Sequence, residues 1–322
     1  MEKNTGKTEC LNYILRQLEN NEKTIAITSI GTDGENIDKV TGTHKPEIVL
    51  NENTLFVTSE KYYRERKLTS EIFDVSENKT ATGRLIFANT KTTGKIILSG
   101  PSDTVSLKKC INKLLCKGAD IVLVDGALSR LSIASPSITE AMILTTGAAL
   151  AGSIQEIVKK TKFTCNLINI DTFSTTIASK LIEIDNGIWI IDSKQQLHNT
   201  NLKSTLLLEK HQDEILEIGN TIFVSGIITD KILNILQKHK NIKDITLIVK
   251  DFTKIFTTPE TYNTYINKGG KIKTLLKTKL IAVCINPVSP QGYVLDSNKL
   301  QKSLYDAIKI PVYDLKNWFK IS

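Results

Sequence analysis

Short apolar runs alternate with amphipathic stretches along most of this chain, and the breaks between them fall at Gly, Asp, Asn and Pro. Apolar residues at 11, 14, 15 and 18 have helical spacing. They are followed by a compact β-branched run at 24–30. Strands are predicted at 45–50 and 54–58, around an Asn51-Glu52-Asn53 turn, and a charged helix at 62–73. Two further strands, 85–88 and 95–101, flank a hairpin loop at Lys91-Thr92-Thr93-Gly94. A helix over 102–117, capped by Thr104 or Ser106, leads into Ile121-Val122-Leu123-Val124, an unbroken apolar run of the kind found in central parallel strands. The small-residue stretch 138–158 predicts a tightly packed helix, with Thr139 and Glu140 at its amino end.

The character changes over 171–179. Strands are then expected at 181–184, 187–192, 221–226, 245–251, 280–287 and 311–315. Helices are expected at 229–239 (capped by Thr229 or Asp230), 257–266 and 297–308. Strand–helix alternation of this sort predicts an α/β fold built on parallel sheets. The expected organisation is a P-loop NTPase-like domain over 1–175, followed by a second, smaller α/β domain over 176–322.

The P-loop expectation comes from Lys3-Asn4-Thr5-Gly6-Lys7-Thr8. In such a loop, backbone N–H groups around a glycine turn point at phosphate oxygens. The lysine meets the β/γ charge and the Thr hydroxyl sits on Mg²⁺. A helix begins directly behind, so its positive end also faces the anion. Asn4, Thr5, Gly6, Lys7 and Thr8 are therefore the candidate nucleotide-binding residues. The full pattern has a glycine five positions before Gly6, where Met1 stands, and a strand leading in. Either the true start lies upstream of Met1 or the loop has decayed. Asp125, at the end of the 121–124 run, is the candidate Mg²⁺-side acid, together with Thr8. Asp33, in the Gly31-Thr32-Asp33-Gly34-Glu35 loop, is a candidate γ-phosphate sensor, with Glu35 and Asp38 beside it; solvated acids in a turn are the plainer alternative. Arg130 is a candidate phosphate contact, with a surface role as the alternative. Two loops of the second half, 225–230 and 286–293, lie where α/β sheets bind ligands, although ordinary loop chemistry also explains them.

Composition narrows the class. The chain has 322 residues, 40% hydrophobic and 24% charged, the proportions of a globular protein. No apolar run approaches membrane-spanning length and the start is polar, so a cytoplasmic protein without a membrane segment is expected. Cys10, Cys110, Cys116, Cys165 and Cys284 are odd in number and lack C-x-x-C spacing, which predicts reduced thiols. His44, His198, His211 and His239 form no metal-ligand pattern. The net charge of +8 comes mostly from dispersed lysines without interleaved aromatics. This argues for a solvated surface and against nucleic acid as a partner.

K-N-T-G-K-T at the start, T-S-I-G-T-D-G-E at 28–35, V-D-G-A-L-S-R at 124–130, S-P-S-I-T-E-A at 135–141 and N-P-V-S-P-Q-G-Y at 286–293 together resemble the KamB-type subunit of lysine 5,6-aminomutase reactivase. The likeness extends over nearly the whole chain. The loop is also similar to that of molybdopterin-guanine-dinucleotide accessory proteins. The resemblance implies a nucleotide-driven chaperone, using ATP or GTP with Mg²⁺, which ejects damaged cobalamin from an adenosylcobalamin-dependent lysine 5,6-aminomutase of lysine fermentation. It would act beside a MutS-like reactivase subunit. Gly6, Lys7 and Thr8 would hold phosphate and Mg²⁺, and Asp125 would take the Walker-B role. The alternatives are a small-molecule kinase or ligase on the same scaffold, and a structural subunit with a degenerate nucleotide site.

Overall fold

The computed structural model describes residues 5–19, 22–31, 47–126, 135–202 and 211–315. In chain order the first elements are α1 (Lys7–Leu18), β1 (Ile25–Ser29), β2 (Ile48–Leu50), β3 (Leu55–Ser59), α2 (Glu60–Arg64), β4 (Ser70–Thr80), β5 (Gly83–Thr90) and β6 (Gly94–Ile96). Next come α3 (Thr104–Cys116), β7 (Ile121–Asp125), β8 (Ala141–Gly147), α4 (Ile154–Ile168), α5 (Ala178–Glu183), β9 (Ile188–Ile191), β10 (Leu197–Asn199) and α6 (Gln212–Ile218). The remainder is β11 (Thr221–Val224), β12 (Ile228–Thr229), α7 (Asp230–Leu236), β13 (Thr246–Val249), β14 (Ile255–Phe256), α8 (Pro259–Asn267), β15 (Lys271–Thr274), β16 (Lys279–Asn286), α9 (Ser297–Ile308) and β17 (Val312–Asp314).

The fold is mixed α/β, in two compact units, each assembled from separate segments. The first takes 1–133, 143–161 and 281–322; the second takes 134–142 and 162–280. The expected boundary near 175 falls inside the long segment of the second unit.

In the first unit, a five-stranded sheet has the order β4-β5-β3-β1-β7, and a three-stranded sheet the order β17-β16-β8. β1 runs parallel to both β3 and β7, with Ile25 through Ser29 opposite Ile121 through Asp125. Side chains of these strands alternate between two cores, as the pleat requires. Ile25, Ile27, Phe56, Ile86, Ala88, Ile121 and Leu123 face Leu11 and Leu15 of α1. Ala26, Leu55, Val57, Leu85, Phe87 and Val122 face Cys110 and Leu114 of α3. α1 also reaches the smaller sheet, since Cys10 packs with Cys284 of β16 and with Leu315.

In the second unit the sheet order is β10-β9-β11-β13-β15, with β11, β13 and β15 parallel and β9 antiparallel to β11. Ile191, Phe223 and Ile248 pack against Ile177 and Leu181 on one side of it. Tyr265 of α8 is fully buried. No helix among the described residues is long and apolar enough to cross a membrane.

Several expectations are corrected. Residues 138–158 do not form one helix: 141–147 is strand β8, and α4 starts only at Ile154, after Ser153 Oγ accepts the Glu156 N–H. The run Ile143-Leu144-Thr145-Thr146 is β-branched or apolar throughout, which favours a buried strand. The helix expected over 62–73 is the five-residue α2, followed by the long strand β4. Residues 181–184 belong largely to helix α5, not to a strand. The 54–58 and 45–50 strands do not pair with each other, and neither do 85–88 and 95–101. β2 pairs with β6, and β3 lies between β1 and β5. Asp103, rather than Thr104 or Ser106, caps α3 by accepting the Ser106 N–H at 2.8 Å. That hydrogen bond holds its carboxyl below the usual aspartate range.

Candidate functional site

α1 begins at Gly6, whose φ of 90° is left-handed, a backbone state that glycine enters without a steric cost. The Gly6 carbonyl accepts the Cys10 N–H at 2.9 Å, the first bond of the helix. No side chain caps this end, which leaves the first-turn N–H groups available to an acceptor from outside. Lys7 and Thr8 are half-buried there.

The loop is bedded on the carboxyl ends of β8 and β16. Thr5 is 2% exposed, with Oγ1 3.1 Å from Oγ1 of Thr145. The adjacent Thr146 is buried against Thr161, at 2.9 Å between hydroxyls. A Cβ on Gly6 would lie 3.1 Å from Cβ of Asn286, and a Cβ on Gly147 would overlap the Asn286 backbone. Ala148 N–H donates to the Asn286 carbonyl at 2.9 Å, and the Tyr293 hydroxyl donates to the Ala148 carbonyl at 2.8 Å. Two glycines thus let three segments of backbone meet at one point.

Thr24, at the foot of β1, exchanges bonds with Asp120 at the foot of β7: Asp120 N–H to the Thr24 carbonyl at 2.9 Å, and Thr24 N–H to Asp120 Oδ2 at 2.7 Å. The carboxyl end of α1 leads to that foot. Between the two ends, Leu11 and Leu15 lie along Ile25, Ile27, Ile121 and Leu123. Asp125 closes β7 two residues beyond Leu123. Asp125 is half-exposed, stands opposite Ser29 in register, and its carbonyl accepts the Ile30 N–H at 3.3 Å. The hydroxyls of Ser29 and of Ser59, at the tops of β1 and β3, are buried without a protein partner.

Thr5 and Gly6 are seated on Thr145 and Asn286, with Lys7 and Thr8 next to them in the first turn of α1, and Asp125 ends β7. Asn4, Asp33, Glu35, Asp38 and Arg130 lie outside the described residues. Asn286, expected within a loop of the second half, instead packs on Gly6. The Thr145-Thr146-Gly147 seat was hidden inside the expected helix; its signal was the pair of adjacent β-branched threonines before a glycine.

Polar side chains of the second-half loops are bonded to the chain itself. Ser225 Oγ donates to the Gly187 carbonyl at 2.9 Å, and Asp230 accepts Thr258 N–H at 2.8 Å. His198 Nε2 lies 2.8 Å from Asp192 Oδ2, and this bond, joined by N–H groups of Gln196 and Lys194, holds Asp192 below the usual carboxylate range. Among the described residues no cluster of three or more His, Cys, Asp or Glu is placed to hold a metal. All five cysteines are free thiols. Comparison with models of protein families, with curated proteins and with solved structures finds no match.

Proposed function

We propose that the Gly6-Lys7-Thr8 turn binds the phosphates of ATP or GTP, and that the chain is the nucleotide-dependent subunit of a reactivating chaperone, as its likeness to KamB-type reactivase subunits implies. The observation that carries this reading is the uncapped, left-handed start of α1 at Gly6-Lys7-Thr8. Backbone N–H groups and the Lys7 ammonium would meet phosphate oxygens. The Thr8 hydroxyl and the Asp125 carboxylate are hard oxygen donors suited to Mg²⁺. Magnesium, when bound, would neutralise phosphate charge. The partnerless Ser29 hydroxyl on the neighbouring strand fits a polar ligand shell. The loop is bedded on β8 and β16. On this reading the partner is a MutS-like subunit acting on an adenosylcobalamin-dependent aminomutase, and release of the γ-phosphate changes the contact with it.

The test is calorimetric titration of Mg-ATP and Mg-GTP into the wild-type chain and into Lys7→Ala. We expect saturable binding of one nucleotide and a loss of at least about tenfold in the variant, roughly 1.4 kcal/mol. The melting temperature of the variant should be unchanged, because Lys7 is half-buried surface. Absence of saturable binding of either nucleotide to the wild type overturns the proposal.

A further inference from the structure

We propose that Cys10 and Cys284 are a site of reversible disulfide formation that locks the amino end of α1 to β16. Their sulfurs lie 3.5 Å apart, and the residues are 4% and 6% exposed. They are 274 positions apart in the chain, so a bond between them would close a very long loop. A disulfide has sulfurs about 2.05 Å apart, and the remaining approach of about 1.5 Å is within reach of side-chain rotation and a small shift of the helix. The setting is apolar, with Leu315, Tyr13 and Ile14 around the pair.

Position gives the pair its consequence. Cys10 stands two residues beyond Thr8, in the first turns of α1. Cys284 stands two residues before Asn286, whose side chain touches Gly6. A covalent bond here would fix the seat of the Gly6-Lys7-Thr8 turn from below.

The chemistry is asymmetric. Cys10 donates its S–H to Cys284. That bond and burial keep Cys10 protonated, while Cys284, as acceptor, is lowered. Cys284 is therefore the sulfur that meets an oxidant of the hydroperoxide class. Its thiol ionises, the thiolate attacks the peroxide, the O–O bond breaks and a sulfenic acid forms, while the leaving oxygen takes up the proton released by Cys284 and departs as water or an alcohol. The Cys10 sulfur then attacks that sulfur: the S–S bond forms, the S–O bond breaks, and hydroxide leaves with the Cys10 proton as water. Two thiols are oxidised by two electrons and one peroxide is reduced. A dithiol reductant reverses the step by exchange. Burial makes the reaction wait on opening of the first turns of α1, so it is slow in the closed protein.

The experiment uses the full chain. It is treated with hydrogen peroxide, denatured, alkylated with N-ethylmaleimide, and mapped by mass spectrometry before and after dithiothreitol. We expect a Cys10–Cys284 cross-linked peptide, two hydrogens lighter than the reduced pair and restored by the reductant. Cys116, which is exposed, is an internal control for indiscriminate oxidation. In the cross-linked protein, amide hydrogen exchange of residues 7–11 should slow by at least about tenfold. Cys284→Ser should abolish the cross-link, and the wild-type map stands by itself should that variant fail to fold. Recovery of Cys10 and Cys284 as alkylated thiols while Cys116 is oxidised overturns the proposal. So does their conversion to sulfinic acids without a cross-link. The inference borrows its consequence from the phosphate-site reading, but the peptide map does not involve nucleotide, so either can fail alone.

Discussion

The apolar runs of β7 and β13 are each followed by an aspartate, and the two units treat it differently. β7 reads Ile-Val-Leu-Val-Asp125, and β13 reads Leu247-Ile248-Val249 before Lys250 and Asp251. Asp251 is 3% exposed. Its carboxylate accepts from Ser135 Oγ at 2.7 Å, from Thr253 N–H at 2.9 Å and from Thr253 Oγ1 at 2.5 Å. Three donors from the chain satisfy it, and it ties residue 135 to the top of the second unit's sheet. Asp125 is half-exposed, and its carbonyl accepts the Ile30 N–H. An acid after an apolar strand is therefore a buried structural tie in one unit and a partly solvated group in the other.

The sharpest break of this comparison is Gly147→Ala. The new methyl would overlap the Asn286 backbone, which cannot move without unseating Gly6. A loss of about 3 kcal/mol or more is expected in urea unfolding, together with loss of any nucleotide binding. A variant as stable as wild type would show that the β8–β16 seat is not tight.

Next in size is Asp251→Ala in the second unit. It strands two buried hydroxyls and a backbone N–H, and should cost about 2–3 kcal/mol in chemical denaturation. Affinity at the Gly6 turn should be untouched, and a parallel loss of nucleotide binding would contradict the purely structural role of this carboxylate.

The smallest effect is one in which the two units behave alike. Cys110 in the first and Cys165 in the second are each pushed by burial to about 11. The folded protein keeps protons that the unfolded chain releases near the ordinary thiol value. Stability is therefore full below about pH 9 and falls as pH rises through about 11. At about pH 10.5 each thiol should subtract about 2 kcal/mol. Cys110→Ala and Cys165→Ala should each flatten the alkaline slope by a similar amount. Equal slopes in wild type and both variants would mean that neither thiol is buried as described.

Much of the fold was readable because its core strands carry long apolar runs. β1, β7, β11, β13 and β16 lie where such runs predict strands, and α3, α8 and α9 follow their apolar spacing. The failures have physical causes. β4 is mostly solvent-facing, so Ser70-Glu71-Ile72-Phe73-Asp74 shows neither strand alternation nor a buried run. β8 ends in Thr145-Thr146-Gly147 and runs into further small residues, which blurs it into the helix that follows. Gly6, Lys7, Thr8 and Asp125 stand out in the sequence because a phosphate loop uses those residue types in that order. Asn286 and Thr145 do not, because they support the turn through packing, and packing partners distant in sequence leave no local pattern.

The long ribbon at the rim of the larger sheet has one more consequence. β4 is the outermost strand, with Glu71, Glu77 and Lys79 turned to solvent, Lys91 on Glu71 at 2.9 Å, and Lys113 paired with Asp74. Its pairing with β5 slips at Ile72/Asp74 and again at Val75/Lys79. Charge and irregular register together make a poor template for another chain's backbone. This ribbon is built like a fender: by the physics of edge strands, its kinks and ionic groups disfavour pairing with the flank of another copy.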